Sequence, residues 1–523
     1  MIAIIDRSDD ACAREVVLRA FERSFTSGQV RLLDDIAAAS RPPAVVVVIA
    51  PREQDADWIE PLLRRPVKIV MLGAVGPRIA SLAGIAVDVP DQRAAAAADC
   101  DPAPTYGLSE SAAHIVYADQ GLGASSSIRR RALCRFDFTN EWNNLGYGRI
   151  GVGDDPWSIA VTARPVDANA IGDLRIGPDT PAGAVVTLRD LPHASVLWFA
   201  RPVGPVDGCD WAIVERFVAD YRASELPCRP YLRDIPHGVT AALTMRLDCD
   251  EDIASSRPLF ELYRARGLPL SVAIKTDQPD TAEHLALLSD LQQAGGSILS
   301  HSVTHAPNWG GSAEAAEREA RDSKAWLENR VPGLTVRYAV SPFHQNPTYV
   351  PAALARAGYD GFVGGIIAND PEYLMARGGA APFAPAGFVS HSQACMLHGD
   401  CLLAGDDPIR IYKQAFRQAK AFGQFFGYLD HPFSPRYAYG WASEADRLAI
   451  HAAYLDFIAA ECAGEATLFV NEETCLDFMR VKSMTLIDYD SSRDAFAVSQ
   501  GSAAGLPLSV GWRGRTEAAA DHG

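Results

Sequence analysis

The chain reads as an α/β protein in three parts. A small Rossmann- or flavodoxin-like α/β layer comes first, a β-rich or mixed segment second, and an irregular (β/α) barrel third. Two observations carry that reading. From residue 238 onward, apolar runs alternate with amphipathic stretches, and roughly eight strands over roughly 240 residues suit a (β/α) barrel. Residues 1–100 show the same alternation in miniature, whereas the stretch between them does not. The length of 523 residues, at ~100–200 residues per domain, agrees with about three domains.

The first part has strand candidates at 2–5, 30–33, 44–49 and 67–72, and a helix at 11–25 whose apolar side is Val16, Val17, Leu18, Ala20 and Phe21. The segment 94–104, ending in Asp-Pro-Ala-Pro, breaks that rhythm and suggests a linker, which gives a first domain of 1–103. A second domain, 104–236, has strands at 185–188 and 196–199, turn clusters near 151–156 and 177–183, and a helix at 211–221. It contains Gly146-Tyr-Gly-Arg-Ile-Gly151, which satisfies the dinucleotide fingerprint by letters alone. Polar residues precede it and no helix opens from it, so it reads as a glycine-rich loop. The third domain, 237–480, has strands at 241–250, 269–275, 297–303, 336–343, 361–364, 387–391, 425–430 and 467–470. Helices at 256–266, 281–294, 313–328, 350–357, 409–421 and 443–461 lie between most of them. Residues 481–523 read as a hairpin and a flexible tail, with the last ten disordered.

Composition removes several classes. Apolar residues make up 48% and charged residues 22%, as in a soluble globular chain. Sixty-five acids against 48 bases give a net charge of −17, which argues against nucleic acid and anionic lipid as partners. The longest apolar run, Ala44 to Ala50, falls far short of the ~20 residues that span a bilayer. Ten scattered cysteines, and a start at Met1-Ile-Ala-Ile-Ile-Asp6 with no basic leader, make a reduced, cytoplasmic protein the expectation; a homo-oligomer stays open.

The chemistry gathers at strand ends. In Leu243-Thr-Met-Arg-Leu-Asp-Cys-Asp250, period-two alternation puts Thr244, Arg246, Asp248 and Asp250 on one face and Leu243, Met245, Leu247 and Cys249 on the other. Charges on a strand inside a barrel need partners or a metal, because desolvation costs several kcal/mol per ion. A buried Arg246–Asp ion pair is the plain alternative. Two strands later, Ser300-His301-Ser-Val-Thr-His305 offers two imidazoles able to converge on one ion. Two His and one Asp leave open coordination positions, the mark of a catalytic site. Zn²⁺ is the default ion, with Co²⁺, Ni²⁺, Mn²⁺ and Fe²⁺ open.

An Asp-x-Asp at the end of a first strand, then Ser-His-x-x-x-His, then Leu429-Asp-His431-Pro after a late strand, resembles the NodB-homology polysaccharide deacetylases, which are metal-dependent carbohydrate esterases on a distorted (β/α) barrel. The resemblance covers roughly 238–475 and marks a divergent branch, since the family pairs adjacent aspartates where Cys249 intervenes here. It implies Asp248 as catalytic base, Asp250, His301 and His305 as metal ligands, and His431 as the acid that protonates a leaving amine. An N-acetylated carbohydrate would be the substrate, with a backbone N–H of the 341–344 loop on the oxyanion. In the third family motif an Arg stands before a Pro-Pro-Tyr-like stretch; here Val340 occupies that place and Arg337 comes three residues too early. Arg246 is the expected substitute, since an opposite charge within ~4–6 Å holds a carboxylate ionised.

Around this set, Trp309, Phe343, His344, Tyr437, Tyr439 and Trp441 are read as substrate contacts, Trp309 first, with loop packing the competing reading. Lys275 and Arg436 read as rim charges, Asp430 as a solvated neighbour of His431, and His391 as a structural histidine near the pocket. Cys395-Met-Leu-His398-Gly-Asp-Cys401 raises a structural zinc site that lacks a fourth ligand. The expected activity is hydrolysis of N-acetyl groups on an amino sugar or a surface-polysaccharide precursor. Hydrolysis of another C–N bond, or a catalytically silent carbohydrate-binding scaffold, are the alternatives.

Overall fold

The computed structural model describes residues 1–39, 42–90, 92–98, 113–125, 129–133, 150–205, 208–279, 281–364, 377–392, 395–499 and 505–519. Two sheets organise it. The first holds β1 (Ile2–Asp6), β2 (Val30–Leu33), β3 (Val45–Ile49), β4 (Val67–Leu72), β5 (Ile85–Asp88), β6 (Ala113–Tyr117), β7 (Arg130–Ala132), β8 (Thr162–Pro165), β9 (Asn169–Ile176), β10 (Thr180–Asp190) and β11 (Ala194–Phe199). Its main order is β2-β1-β3-β4-β11-β10-β9-β6-β7. The pairs from β2 to β11 are parallel and those from β11 to β7 antiparallel.

The boundary expected near residue 103 therefore runs through one sheet. β4 and β11 pair along six residues, from Val67 with Ala194 to Leu72 with Phe199. Both strands are buried throughout, and a strand buried on both faces is stable as an inner strand rather than as an edge. One continuous hydrophobic core runs from Ile2 to Val218. Of the glycine fingerprint at 146–151, Gly146 to Arg149 lie outside the described residues.

After β12 (Tyr231–Leu232), the second sheet begins with β13 (Ala241–Cys249). It continues with β14 (Ser271–Ile274), β15 (Ser297–Ser300), β16 (Tyr338–Val340), β17 (Gly361–Gly364), β18 (Gly379–Ala380), β19 (Val389–Ser392), β20 (Cys395–Met396), β21 (Phe425–Asp430) and β22 (Thr467–Phe469). Its order is β18-β19-β17-β16-β15-β14-β13-β21-β20, with β22 also on β13. All pairs are parallel except β18 with β19. No ladder joins its two ends among the described residues, so the expected barrel is observed as a ten-stranded sheet. That sheet is strongly curved. β19 and β20 lie toward opposite ends of it, yet Ser392 and Cys395 are three residues apart, a reach of at most ~11 Å.

The alternation in β13 is as read: Leu243, Met245, Leu247 and Cys249 enter the core under the flanking helices, while Ala242 faces an inner cluster. The inner cluster is filled by the helix Glu472–Met484, whose Cys475, Leu476, Phe478 and Met479 meet Ala242, Tyr338, Val389 and Phe425. The same cluster takes in Ala273, Leu299, Val340 and Val363, so this helix plugs the inside of the curved sheet. Sequence reading missed the helix. Its signals were present: Asn471 caps Thr474 N–H at 2.8 Å and two glutamates fill the first turn.

The tail forms the expected hairpin, β23 (Leu486–Asp490) with β24 (Ala495–Ser499). Then β25 (Ser509–Trp512) pairs with β12 and with β26 (Arg515–Ala518). The last ten residues thus include a strand, because β26 pairs along the edge of β25. No helix among the described residues is long and apolar enough to cross a membrane.

Candidate active site

β13 carries two charges into the curved sheet. Arg246 and Asp248 are both buried, and Arg246 Nε donates to Asp248 Oδ1 at 2.6 Å while Nη2 reaches Oδ2 at 3.2 Å. This is the cation that the sequence expected in place of the missing third-motif Arg. Burial opposes ionisation of Asp248, but Arg246 and then His301 outweigh it and hold the carboxyl well below the ordinary carboxylate range. Arg337, by contrast, pairs with Asp360 and Asp477 away from the site.

Asp250 follows the last residue of β13 on the same face as Asp248. Its Oδ1 lies 3.3 Å from His301 Nε2 and 3.7 Å from His305 Nε2. Those three donor atoms lie within 4.8 Å of one another. His301 directly follows β15, and its Nδ1 contacts Val340 O at 3.0 Å, which fixes the tautomer and turns Nε2 toward Asp250. His305 comes back to the same point through a tight loop. Ser302 and His305 take left-handed backbone, at φ 64° and 57°, and Glu319 accepts from the Val303 and Thr304 amides at 2.9 Å each. Left-handed backbone recurs at Phe343, His344 and Tyr439, all lining the same pocket. Strain of this kind, of order 1–3 kcal/mol per residue, collects where side chains must be aimed.

This donor set fits a divalent metal. Asp250 Oδ1 is buried and has no aligned hydrogen-bond donor among the described residues, although two imidazole nitrogens face it. Burial resists charge on His301, but Asp248 and Asp250 reverse that and raise its pKa. His305 is pushed down to about 4 by burial and by His301. Two imidazoles and a carboxylate with space above them match an open ligand sphere.

The facing wall belongs to β21. His431 Nε2 lies 3.5 Å from Asp250 Oδ2, and its ring stacks on Tyr439 at 4.2 Å between centroids. Its Nδ1 meets His398 Nε2 at 2.6 Å. Burial and the neighbouring His431 push His398 down to about 3, so His398 is neutral and its Nε2 lone pair accepts from His431 Nδ1–H. His431 Nε2 is then the nitrogen turned to the pocket and to Asp250.

Asp430 is not the solvated neighbour that the sequence suggested. It is fully buried and accepts from Arg447 Nε at 2.7 Å, His451 Nε2 at 2.9 Å, Trp441 Nε1 at 3.3 Å and the His431 amide at 2.7 Å. Trp441 is thereby removed from the substrate contacts: it is a buried partner of Asp430. Trp309 is removed as well, because it is fully buried in the core beneath the loops and does not line the pocket. In both cases the large apolar ring wins more by burial than by waiting at the rim.

The pocket itself, about 590 Å³, brings together Asp248, Asp250, His301, His305, Phe343, His344, His431, Tyr437 and Tyr439 of the residues singled out in the sequence. Met396, His398, Asp400 and Cys401 complete the lining and were missed as pocket residues. His398 and Cys401 had been set apart in a zinc motif. Their observed group is His398, Asp400 and Cys401, without Cys395. In the 341–344 loop, Ser341 N donates to Val363 O, His344 N to Ser341 O, and Pro342 has no N–H. Phe343 is left with the one amide of that loop that has no acceptor among the described residues. Lys275 pairs with Asp277, Arg436 is exposed, and His391 lies inside the sheet rather than in the pocket.

No protein-family model and no curated protein matches this sequence. Solved structures do, among them polysaccharide deacetylases and carbohydrate esterases of family 4. A presumed polysaccharide deacetylase from Mycobacterium smegmatis is 15% identical with a TM-score of 0.35, over 47% of this chain and 93% of that one. A family 4 acetyl xylan esterase from Clostridium thermocellum, in complex with a cobalt ion, is 14% identical with a TM-score of 0.28, over 45% of this chain and 91% of its own. A family 4 pseudoenzyme from Bacillus anthracis is 12% identical with a TM-score of 0.30, over 46% of this chain and 67% of its own. The likeness is one of overall form over about half the chain, so the chemistry below rests on this protein's own side chains.

Proposed function

We propose that this protein is a metal-dependent hydrolase that removes N-acetyl groups from an amino sugar or a surface-polysaccharide precursor. One observation supports it above the others. An open pocket brings together a cation-held buried carboxylate, Asp248, a three-donor group with an orphaned oxygen, Asp250 with His301 and His305, and a proton-carrying imidazole, His431. The distorted-barrel reading of the curved sheet belongs to the same proposal.

Asp248 works as the base. Arg246 keeps it ionised at neutral pH, which also makes it a weak base. A divalent ion on Asp250, His301 and His305 would polarise the amide carbonyl and acidify a water from 15.7 towards ~7, within reach of so weak a base. His431, steadied at Nδ1 by His398 and on its face by Tyr439, gives the Nε2 proton to the departing amine. The Phe343 amide supplies a hydrogen bond to the developing oxyanion. Tyr437, 54% exposed at the mouth, offers a ring for a sugar face.

The test is acetate release from N-acetylated hexosamine oligomers. Wild type releases acetate, and Asp248→Asn and His305→Ala each lose about 10²–10⁴-fold. Ammonia or ring opening from a cyclic amide, without acetate, would move the reading to another C–N bond. Normal acetate release by Asp248→Asn would overturn the assigned base.

A further inference from the structure

A second group of metal-type donors lies inside the curved sheet, away from the pocket. His391 on β19 and Glu472 and Cys475 on the first turn of the plugging helix bring Nδ1, a carboxylate oxygen and Sγ within 4.8 Å of one another. All three residues are buried, at 2%, 0% and 0% exposure.

The arrangement repeats the logic of the pocket group. In the pocket, one nitrogen of His301 is tied to a backbone carbonyl, Val340 O, and the other faces the orphaned Asp250 Oδ1. Here His391 Nε2 is tied to a backbone carbonyl, Phe425 O, at 3.3 Å. Its Nδ1 faces Glu472 Oε2 at 3.7 Å, beyond hydrogen-bond reach, and both atoms are buried without an aligned hydrogen-bond partner among the described residues. With Nε2–H spent on the carbonyl, a neutral His391 aims a lone pair at a carboxylate. That juxtaposition is unfavourable unless a proton on the ring, the Cys475 thiol proton or a cation held by all three lies between them. An imidazole, a carboxylate and a thiol gathered out of water are also the donor set of a borderline-soft cation.

We infer that His391, Glu472 and Cys475 form a second site for a borderline-soft divalent ion, a three-donor set of imidazole, carboxylate and thiolate that suits Zn²⁺. Binding forms a metal–sulfur bond and releases the Cys475 thiol proton to solvent. The ion pins the plugging helix to β19. Through the other oxygen of Glu472, which accepts from Thr244 Oγ1 at 3.0 Å and lies 3.6 Å from Arg246 Nη1, it also steadies the cation behind Asp248.

The inference does not rest on the proposed activity, and the experiment reads metal rather than turnover. The full chain is loaded with Co²⁺ and with Zn²⁺, dialysed, and measured for metal content and absorbance. Two equivalents are expected, with a near-ultraviolet thiolate-to-cobalt charge-transfer band. Cys475→Ser abolishes that band and His391→Gln removes one equivalent, while His301→Ala/His305→Ala keeps the band and loses the other equivalent. A single equivalent in the wild type with no thiolate band overturns the inference, and the imidazolium–Glu472 ion pair then stands in its place. A band that survives Cys475→Ser overturns it too. Both readings of the wild type hold even if a variant fails to fold.

Discussion

Arg246 is the side chain on which the candidate chemistry leans. Its guanidinium, buried and bidentate on Asp248, also reaches Glu472, so one cation serves two carboxylates. Removing it in Arg246→Ala takes the main cation from Asp248 and one of the partners of Glu472, and urea unfolding should show a loss of about 3–5 kcal/mol. The same variant tests the base. Asp248 is held low by Arg246 against its burial, so without Arg246 its pKa rises. The acid limb of the activity–pH profile, where the base becomes protonated, then moves to higher pH; an unmoved limb would contradict the pairing. The pairing was legible because period two put both residues on one face. Trp309 and Trp441 were misread because letters near a motif do not show whether a ring is under the loop or above it. His398 was misread because its partner, His431, is 33 residues away in sequence and 2.6 Å away in space.

At the level of elements, β21 and the helix Glu444–Glu461 act as a unit through Asp430. Arg447 and His451, one turn apart on that helix, both bind its carboxylate. Burial would raise the Asp430 pKa, but Arg447 and His451 outweigh it, and the folded value lies below the ordinary range. A depressed carboxylate stabilises the fold above its unfolded pKa and loses that contribution as pH falls. Asp430→Asn should therefore cost about 3–5 kcal/mol at neutral pH, and the gap to wild type should narrow below about pH 4. Equal gaps at pH 7 and pH 3.5 in urea titrations would contradict this. The strands and helices of the second half were largely legible, because parallel strands between amphipathic helices announce both periods. The helix Glu472–Met484 was not. It buries itself inside the curved sheet, so its apolar side answers a cavity that no local pattern reveals.

Across the whole molecule, the two sheets are fastened by buried charge. Arg377 binds Glu215 at 2.5 Å and also Asp234, which in turn holds Lys482. Arg23, from the helix Ala11–Gln29, donates to Ala380 O and Ser390 Oγ at 2.8 Å each. These contacts tie the first sheet's helices to β18, β19 and the plugging helix, and fasteners that depend on three-dimensional closure leave no sequence motif. The protein should unfold in a single calorimetric transition, and Arg377→Ala should lower or split it, since it takes the cation from buried Glu215 and leaves Asp234 with Lys482 alone. Two resolved transitions in the wild type would show the sheets to be independent. The −17 charge and the absence of a spanning helix among the described residues are features of the surface, and the pocket carries its own chemistry irrespective of them.

The most direct measurement is acetate release from an N-acetylated hexosamine oligomer as a function of metal loading. Activity should vanish when the protein is stripped by a chelator, return on stoichiometric Zn²⁺ or Co²⁺, and fail to return in His301→Ala/His305→Ala. Acetate release that persists in the stripped protein, or that returns in the double variant, would contradict the assignment of Asp250, His301 and His305 as the metal-binding heart of the site.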